Sequence, residues 1–263
     1  MLTEAICIVC LNNARYADVV PIRLRPAMHI RLVDTRAHDA YLAGHIPGAA
    51  HLDPERDLTG EIGDASRGRH PLPETGDLAA AFGRAGIDPE TFVLAYDEGT
   101  GWAARCWWLL RHLGHAAAGT FDLRSYRGPL EAGESPLQGE SPGFVPRVRT
   151  DDVIEAEEIL ARLEDSSLVL LDARSRPRWR GDEEPLDPVA GRIPGARNAF
   201  FEEPLPAGSI HPPEVAVYCG SGVTAAVQVQ RLVLASGEDA RLYPGSFSEW
   251  CRREGYPIER GEP

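Results

Sequence analysis

Short apolar runs rich in β-branched residues alternate along the chain with longer stretches that mix apolar and polar positions. Val169–Leu171 and Val215–Val217 are continuous apolar runs, the pattern of strands buried on both faces. Asp77–Ala85, Ala103–His112, Asp151–Leu163 and Val223–Ala235 predict helices. The third of these is predicted to open at Thr150, with Asp151 and Asp152 in its first turn favoured by the helix dipole. Strands and helices that alternate in this way predict an α/β fold with a mainly parallel sheet flanked by helices.

The pattern occurs twice. Leu32-Val33-Asp34-Thr35-Arg36 returns as Leu171-Asp172-Ala173-Arg174, and Gly44-His45-Ile46-Pro47-Gly48-Ala49 returns as Gly191-Arg192-Ile193-Pro194-Gly195-Ala196. Val93 to Asp97 returns as Val215 to Cys219. The same elements in the same order indicate a duplicated domain. Gly128 to Arg149 is dense in Pro, Gly, Ser and Glu without apolar periodicity, which marks a linker. The expected division is therefore 1–135, a linker at 136–149, and 150–263. The copies differ in one interval: Pro47 to Asp97 spans 50 residues, whereas Pro194 to Cys219 spans 25. The first copy has an extra segment holding Arg67-Gly68-Arg69-His70-Pro71-Leu72-Pro73, and the second is expected to have an irregular loop over 200–216.

Charge narrows the function classes. With 27 Lys+Arg against 40 Asp+Glu the net charge is −13, which disfavours broad binding to nucleic acid or anionic membrane. No apolar stretch approaches ~20 residues, and no targeting signal precedes the first copy, so a cytoplasmic protein is expected. The five cysteines, Cys7, Cys10, Cys106, Cys219 and Cys251, are odd in number and scattered. They form no disulfide framework, and Cys7-x-x-Cys10 lacks the second pair that a zinc site requires.

One of these cysteines stands out. Tyr218-Cys219-Gly220-Ser221-Gly222-Val223-Thr224 lies where a buried strand ends and a helix begins, the edge of an open α/β sheet where ligands bind. Its two glycines permit a tight turn with main-chain N–H groups converging on one centre. Such a concavity at a helix N-terminus holds an anion and favours a nucleophilic thiolate. The first copy has Asp97 at the matching position, so this chemistry belongs to the second copy. A cysteine phosphatase needs an arginine clamp six residues after the cysteine, and here that position is Ala225.

From Leu32 to the C-terminus both copies resemble the rhodanese family. The resemblance rests on the Gly-x-Ile-Pro-Gly-Ala elements, the Asp–Cys asymmetry and the Tyr243–Trp250 stretch Tyr-Pro-Gly-Ser-Phe-Ser-Glu-Trp. The loop Cys-Gly-Ser-Gly-Val-Thr looks like that of the 3-mercaptopyruvate sulfurtransferases. Thiosulfate sulfurtransferases usually place two basic residues where this chain has Gly220 and Ser221. The resemblance implies two tandem rhodanese-like domains and a persulfide on Cys219, its outer sulfur held by N–H groups of Gly220, Ser221, Gly222, Val223 and Thr224.

By the same resemblance, Arg178 matches the arginine that binds the donor's carboxylate. Nine residues later, where mercaptopyruvate enzymes carry a second one, this chain has Asp187; Arg180 and Arg192 are the candidates to compensate. His70 matches a histidine that acts with the loop serine, here Ser221, and with an acidic residue, here Glu55. The implied partners are a small-molecule sulfur donor and a thiol, cyanide or sulfur-carrier protein as acceptor, with no metal and no organic cofactor. The alternatives are thiosulfate as donor, or a non-enzymatic module that carries a persulfide for a partner.

Overall fold

The computed structural model describes residues 29–61, 63, 65–135, 143–205, 214–237 and 239–262. Cys7 and Cys10, residues 136–142 of the expected linker, and 206–213 of the expected irregular loop lie outside these. The chain separates into two compact units, one within Met1–Gly60 and Pro73–Arg149, the other within Glu61–Leu72 and Thr150–Pro263.

The first unit runs β1 (His29–Asp34), α1 (His38–Ala43), β2 (Ala50–His51), α2 (Thr75–Arg84), β3 (Thr91–Asp97), α3 (Trp102–His112) and β4 (Ala118–Asp122). Its sheet has the order β2-β1-β3-β4, and every pairing is parallel. All seven residues of β3 are buried, as a central strand covered on both faces requires.

The second unit repeats the plan with α4 (Ala156–Ala161), β5 (Leu168–Asp172), α5 (Arg176–Arg180), β6 (Arg197–Asn198), β7 (Glu214–Tyr218), α6 (Ala225–Ser236), β8 (Arg241–Leu242) and α7 (Ser246–Trp250). The sheet order is β6-β5-β7-β8, again all parallel. Ile154, Ile159, Ile193, Tyr243, Phe247 and Trp250 anchor its core. The helix expected from Thr150 begins instead at Ala156. Asp152 O and Ile154 N bond Leu242 across the edge of β8, at 2.8 and 2.9 Å, so the ladder holds these residues extended and overrides the capping signal. Among the described residues no helix is long and apolar enough to cross a membrane.

The repeated motifs are latches at strand ends. Arg174 turns back to bond the Asp172 carboxylate and Gly191 O, with Nη2 contacts of 2.6 and 2.7 Å. Arg36 does the same with Asp34 and Gly44 O, both at 2.6 Å. Tyr218 Oη accepts the Ile193 N–H at 3.1 Å, and Tyr96 Oη accepts that of Ile46 at 3.1 Å. Each Gly-x-Ile-Pro-Gly turn is thus tied to the centre of its own sheet.

Candidate active site

Cys219 follows directly on β7, and the loop to α6 wraps its sulfur. Ser221 N and Gly222 N donate to Sγ at 3.4 and 3.1 Å. The cysteine is 2% exposed, and its own backbone is pinned from the far side. Cys219 N donates to Ser246 Oγ at 3.1 Å, while Phe247 N and Ser248 N donate to Cys219 O and Gly220 O at 3.0 and 2.9 Å. Ser246 adopts φ 54°, unusual for a residue other than glycine; its hydroxyl also donates to Tyr243 O at 2.9 Å. The Tyr243–Trp250 motif is therefore the floor that fixes the loop. A thiolate here meets oriented amides and the start of a 12-residue helix, both of which favour negative charge.

Cations flank the loop. A side chain at Gly220 would put its Cβ 2.8 Å from Arg69 Nη2 and 3.3 Å from Arg178 Nη2, so both guanidinium tips lie against this position of the loop. Arg178 is held from behind by Glu184 Oε1 at 2.7 Å. Glu184 also accepts Arg174 Nη1 at 3.2 Å and the N–H groups of Leu186 and Asp187, each at 3.1 Å. Arg69 is paired with Asp187, whose side chain is fully buried, and its N–H donates to Ser248 Oγ at 3.1 Å. Arg252 Nη1 reaches the same Asp187 carboxylate at 2.8 Å.

The segment that carries Arg69 also carries His70, whose Nδ1 lies 2.8 Å from Ser221 Oγ. Cys219, Ser221, His70, Arg178 and the Gly220–Thr224 loop are thus brought together. Three other candidates have partners of their own. Arg192 is buried and bonds Gly261 O and Glu259 Oε1 at 2.6 and 2.5 Å, with its guanidinium 4.1 Å from the Trp179 ring centre. It does for the second copy what His45, 3.2 Å from Glu131 Oε1, does for the first. Arg180 pairs with Asp182 and Glu262 at 2.8 and 2.7 Å, so both guanidinium groups are already paired with carboxylates. Glu55 is an exposed residue of the first unit, its N–H donating to Asp53 Oδ1 at 3.0 Å. Sequence reasoning missed Arg69 and Ser246. The signal for Arg69 was the charged Arg-Gly-Arg-His run in the extra segment, unreadable without knowing which unit receives it.

The matching loop of the first unit is filled by its own side chain. Asp97 accepts the N–H groups of Gly99, Gly101 and Ala103 at 2.8, 2.8 and 3.1 Å and the Thr100 hydroxyl at 3.0 Å. Among the described residues no group of three or more His, Cys, Asp or Glu side chains is arranged to hold a metal ion.

A family model of the rhodanese-like domain matches residues 23–133 and 155–253. A Pseudomonas aeruginosa protein, provisionally named a 3-mercaptopyruvate sulfurtransferase, is 39% identical over 84% of this chain and 86% of its own length. One from Mycobacterium tuberculosis, provisionally named thiosulfate sulfurtransferase SseB, is 37% identical over 88% of each chain. Among solved structures, SseA from Escherichia coli, described as a 3-mercaptopyruvate sulfotransferase with the rhodanese fold, superposes with a TM-score of 0.70. It is 26% identical, over 83% of this chain and 92% of that one. The chain belongs to the rhodanese family, as a tandem of two such domains.

Proposed function

We propose that this sulfurtransferase takes sulfur from 3-mercaptopyruvate and carries it as a persulfide on Cys219. The Cys219 thiolate attacks the donor's sulfur, the S–S bond forms and the donor's C–S bond breaks. The electron pair leaves on carbon as the enolate of pyruvate, which takes up a proton to become pyruvate. His70 and Ser221 form a path for that proton. Arg178 fixes the donor's carboxylate by charge-assisted hydrogen bonds. The outer sulfur of the persulfide, now anionic, is stabilised by the loop amides. In the second half-reaction a thiol, cyanide or sulfur-carrier protein attacks that outer sulfur, and the Cys219 thiolate departs. Cys106, Cys219 and Cys251, the described cysteines, are all free, which fits a reducing cytoplasmic setting.

The observation that carries the donor choice is the 2.8 Å contact between His70 and Ser221 beside the cysteine loop. Pyruvate departure needs a proton at carbon, whereas thiosulfate would release sulfite with no such need. Thiosulfate remains the second reading, favoured by the 37% identical relative that carries that name. The experiment is steady-state turnover with each donor and cyanide as acceptor. The expected result is a higher kcat/KM for 3-mercaptopyruvate; a ratio below one would reverse the donor.

A further inference from the structure

We propose that the cation missing after Arg178 has been moved rather than lost: Arg69 is the second anion-binding residue of the donor site, and Asp187 is its positioning residue. The inference rests on the sulfurtransferase reading and adds a residue and a specificity device to it.

The position nine residues after Arg178 holds a carboxylate, which alone would repel an anionic donor. Its environment reverses that effect. Asp187 pairs with both Arg69 and Arg252, and its Oδ2 stands 3.5 Å from Arg178 Nη2 without accepting a hydrogen bond. With Glu184 on the far side of Arg178, two buried carboxylates face the three guanidinium groups of Arg69, Arg178 and Arg252, so the cluster keeps one positive charge in excess, and Asp187 orients the arginines around itself. Arg69 is further fixed through its main chain. Ser248 Oγ takes its N–H, and Gly68 before it sits at φ +87°, where a Cβ would strike Gly245 O at 2.6 Å. What this fixed arm presents is Arg69 Nη2, beside the Gly220 position and on the same side as Arg178. Two forks converging there suit a planar carboxylate or a sulfonate end.

Two alkylating reagents of equal reach and different charge test this without any sulfur donor. Second-order rates of Cys219 modification by iodoacetate and by iodoacetamide are measured by peptide mass, and their ratio reports anion binding at the loop. Arg69→Ala is expected to lower the ratio roughly 10-fold, and Arg69→Lys, which keeps the charge, to retain most of it. An unchanged ratio in Arg69→Ala overturns the proposal, even if both rates fall through loop damage. Asp187→Ala distinguishes positioning from field. Removing a negative charge should raise the ratio if Asp187 acts only through space, but lower it if Arg69 loses its anchor. A rise overturns the positioning role. The sulfurtransferase reading is judged separately by mass: it fails if neither 3-mercaptopyruvate nor thiosulfate adds sulfur to Cys219 in the wild type, whatever the ratio shows.

Discussion

Cys106, Cys219 and Cys251 are all reduced, yet their surroundings set them apart. Burial in α3 pushes the Cys106 thiol up to about 12, and burial, with Asp187 nearby, raises that of Cys251. Cys219 instead receives main-chain donors at its sulfur. Mixing with 3-mercaptopyruvate at pH 8 should therefore add one sulfur atom, removable by reduction and absent in Cys219→Ser. Peptide mapping that placed the adduct on Cys106 or Cys251 would refute the site. His70→Asn should slow loading from 3-mercaptopyruvate roughly 100-fold while leaving loading from thiosulfate within about threefold; rapid-quench mass spectrometry reads both. At this scale the sequence reveals the candidate nucleophile, because strand, glycine turn and helix start are contiguous. It hides Arg69, because the ion pair that positions it joins residues 118 apart. Arg192 misleads for the opposite reason, since an arginine in the turn motif looks available until Glu259 and Trp179 are seen around it.

The elements that hold the site are short, and their latches matter more than their lengths. Arg174 is 3% exposed. Burial opposes its charge, but the Asp172 carboxylate beside it prevails and its pKa is raised. Asp172→Ala would remove the main carboxylate partner of that guanidinium, leaving Glu184, Gly191 O and the Phe247 ring 4.0 Å away. It should cost roughly 3–5 kcal/mol, read as a lower urea midpoint at unchanged slope. Gly68→Ala tests the arm in a different way. The left-handed backbone alone disfavours alanine by about 1 kcal/mol, and the contact with Gly245 O adds to it. The arm should shift, with mercaptopyruvate kcat/KM falling more than stability does in parallel thermal scans. Strand positions were readable as apolar runs, but the segment after Thr150 was not. Its polar, acidic start is a sound helix signal, and only the edge of β8 makes the extended form better.

For the molecule as a whole, acidity and function coexist because the site gathers its own arginines while the net charge of −13 is spread over the chain. Duplication was legible from paired motifs. The assignment of Glu61–Leu72 to the second unit was not, since chain order places that stretch inside the first copy. The retired loop around Asp97 yields one more test. Asp97→Ala would leave its amide donors without their acceptor, at a cost of roughly 2–4 kcal/mol. Added phosphate should restore part of the lost thermal midpoint by settling in the gap, and no recovery would mean the loop collapses when emptied. The two loops also differ in what fills them. Around Asp97 four donors close on two carboxylate oxygens at 2.8–3.1 Å; around Cys219 two amides meet a single, larger sulfur atom at 3.1 and 3.4 Å. The sister copy is thus a cast of the anion such a turn can enclose, and the space its second oxygen takes is the space that the outer sulfur of a persulfide would need in the working copy.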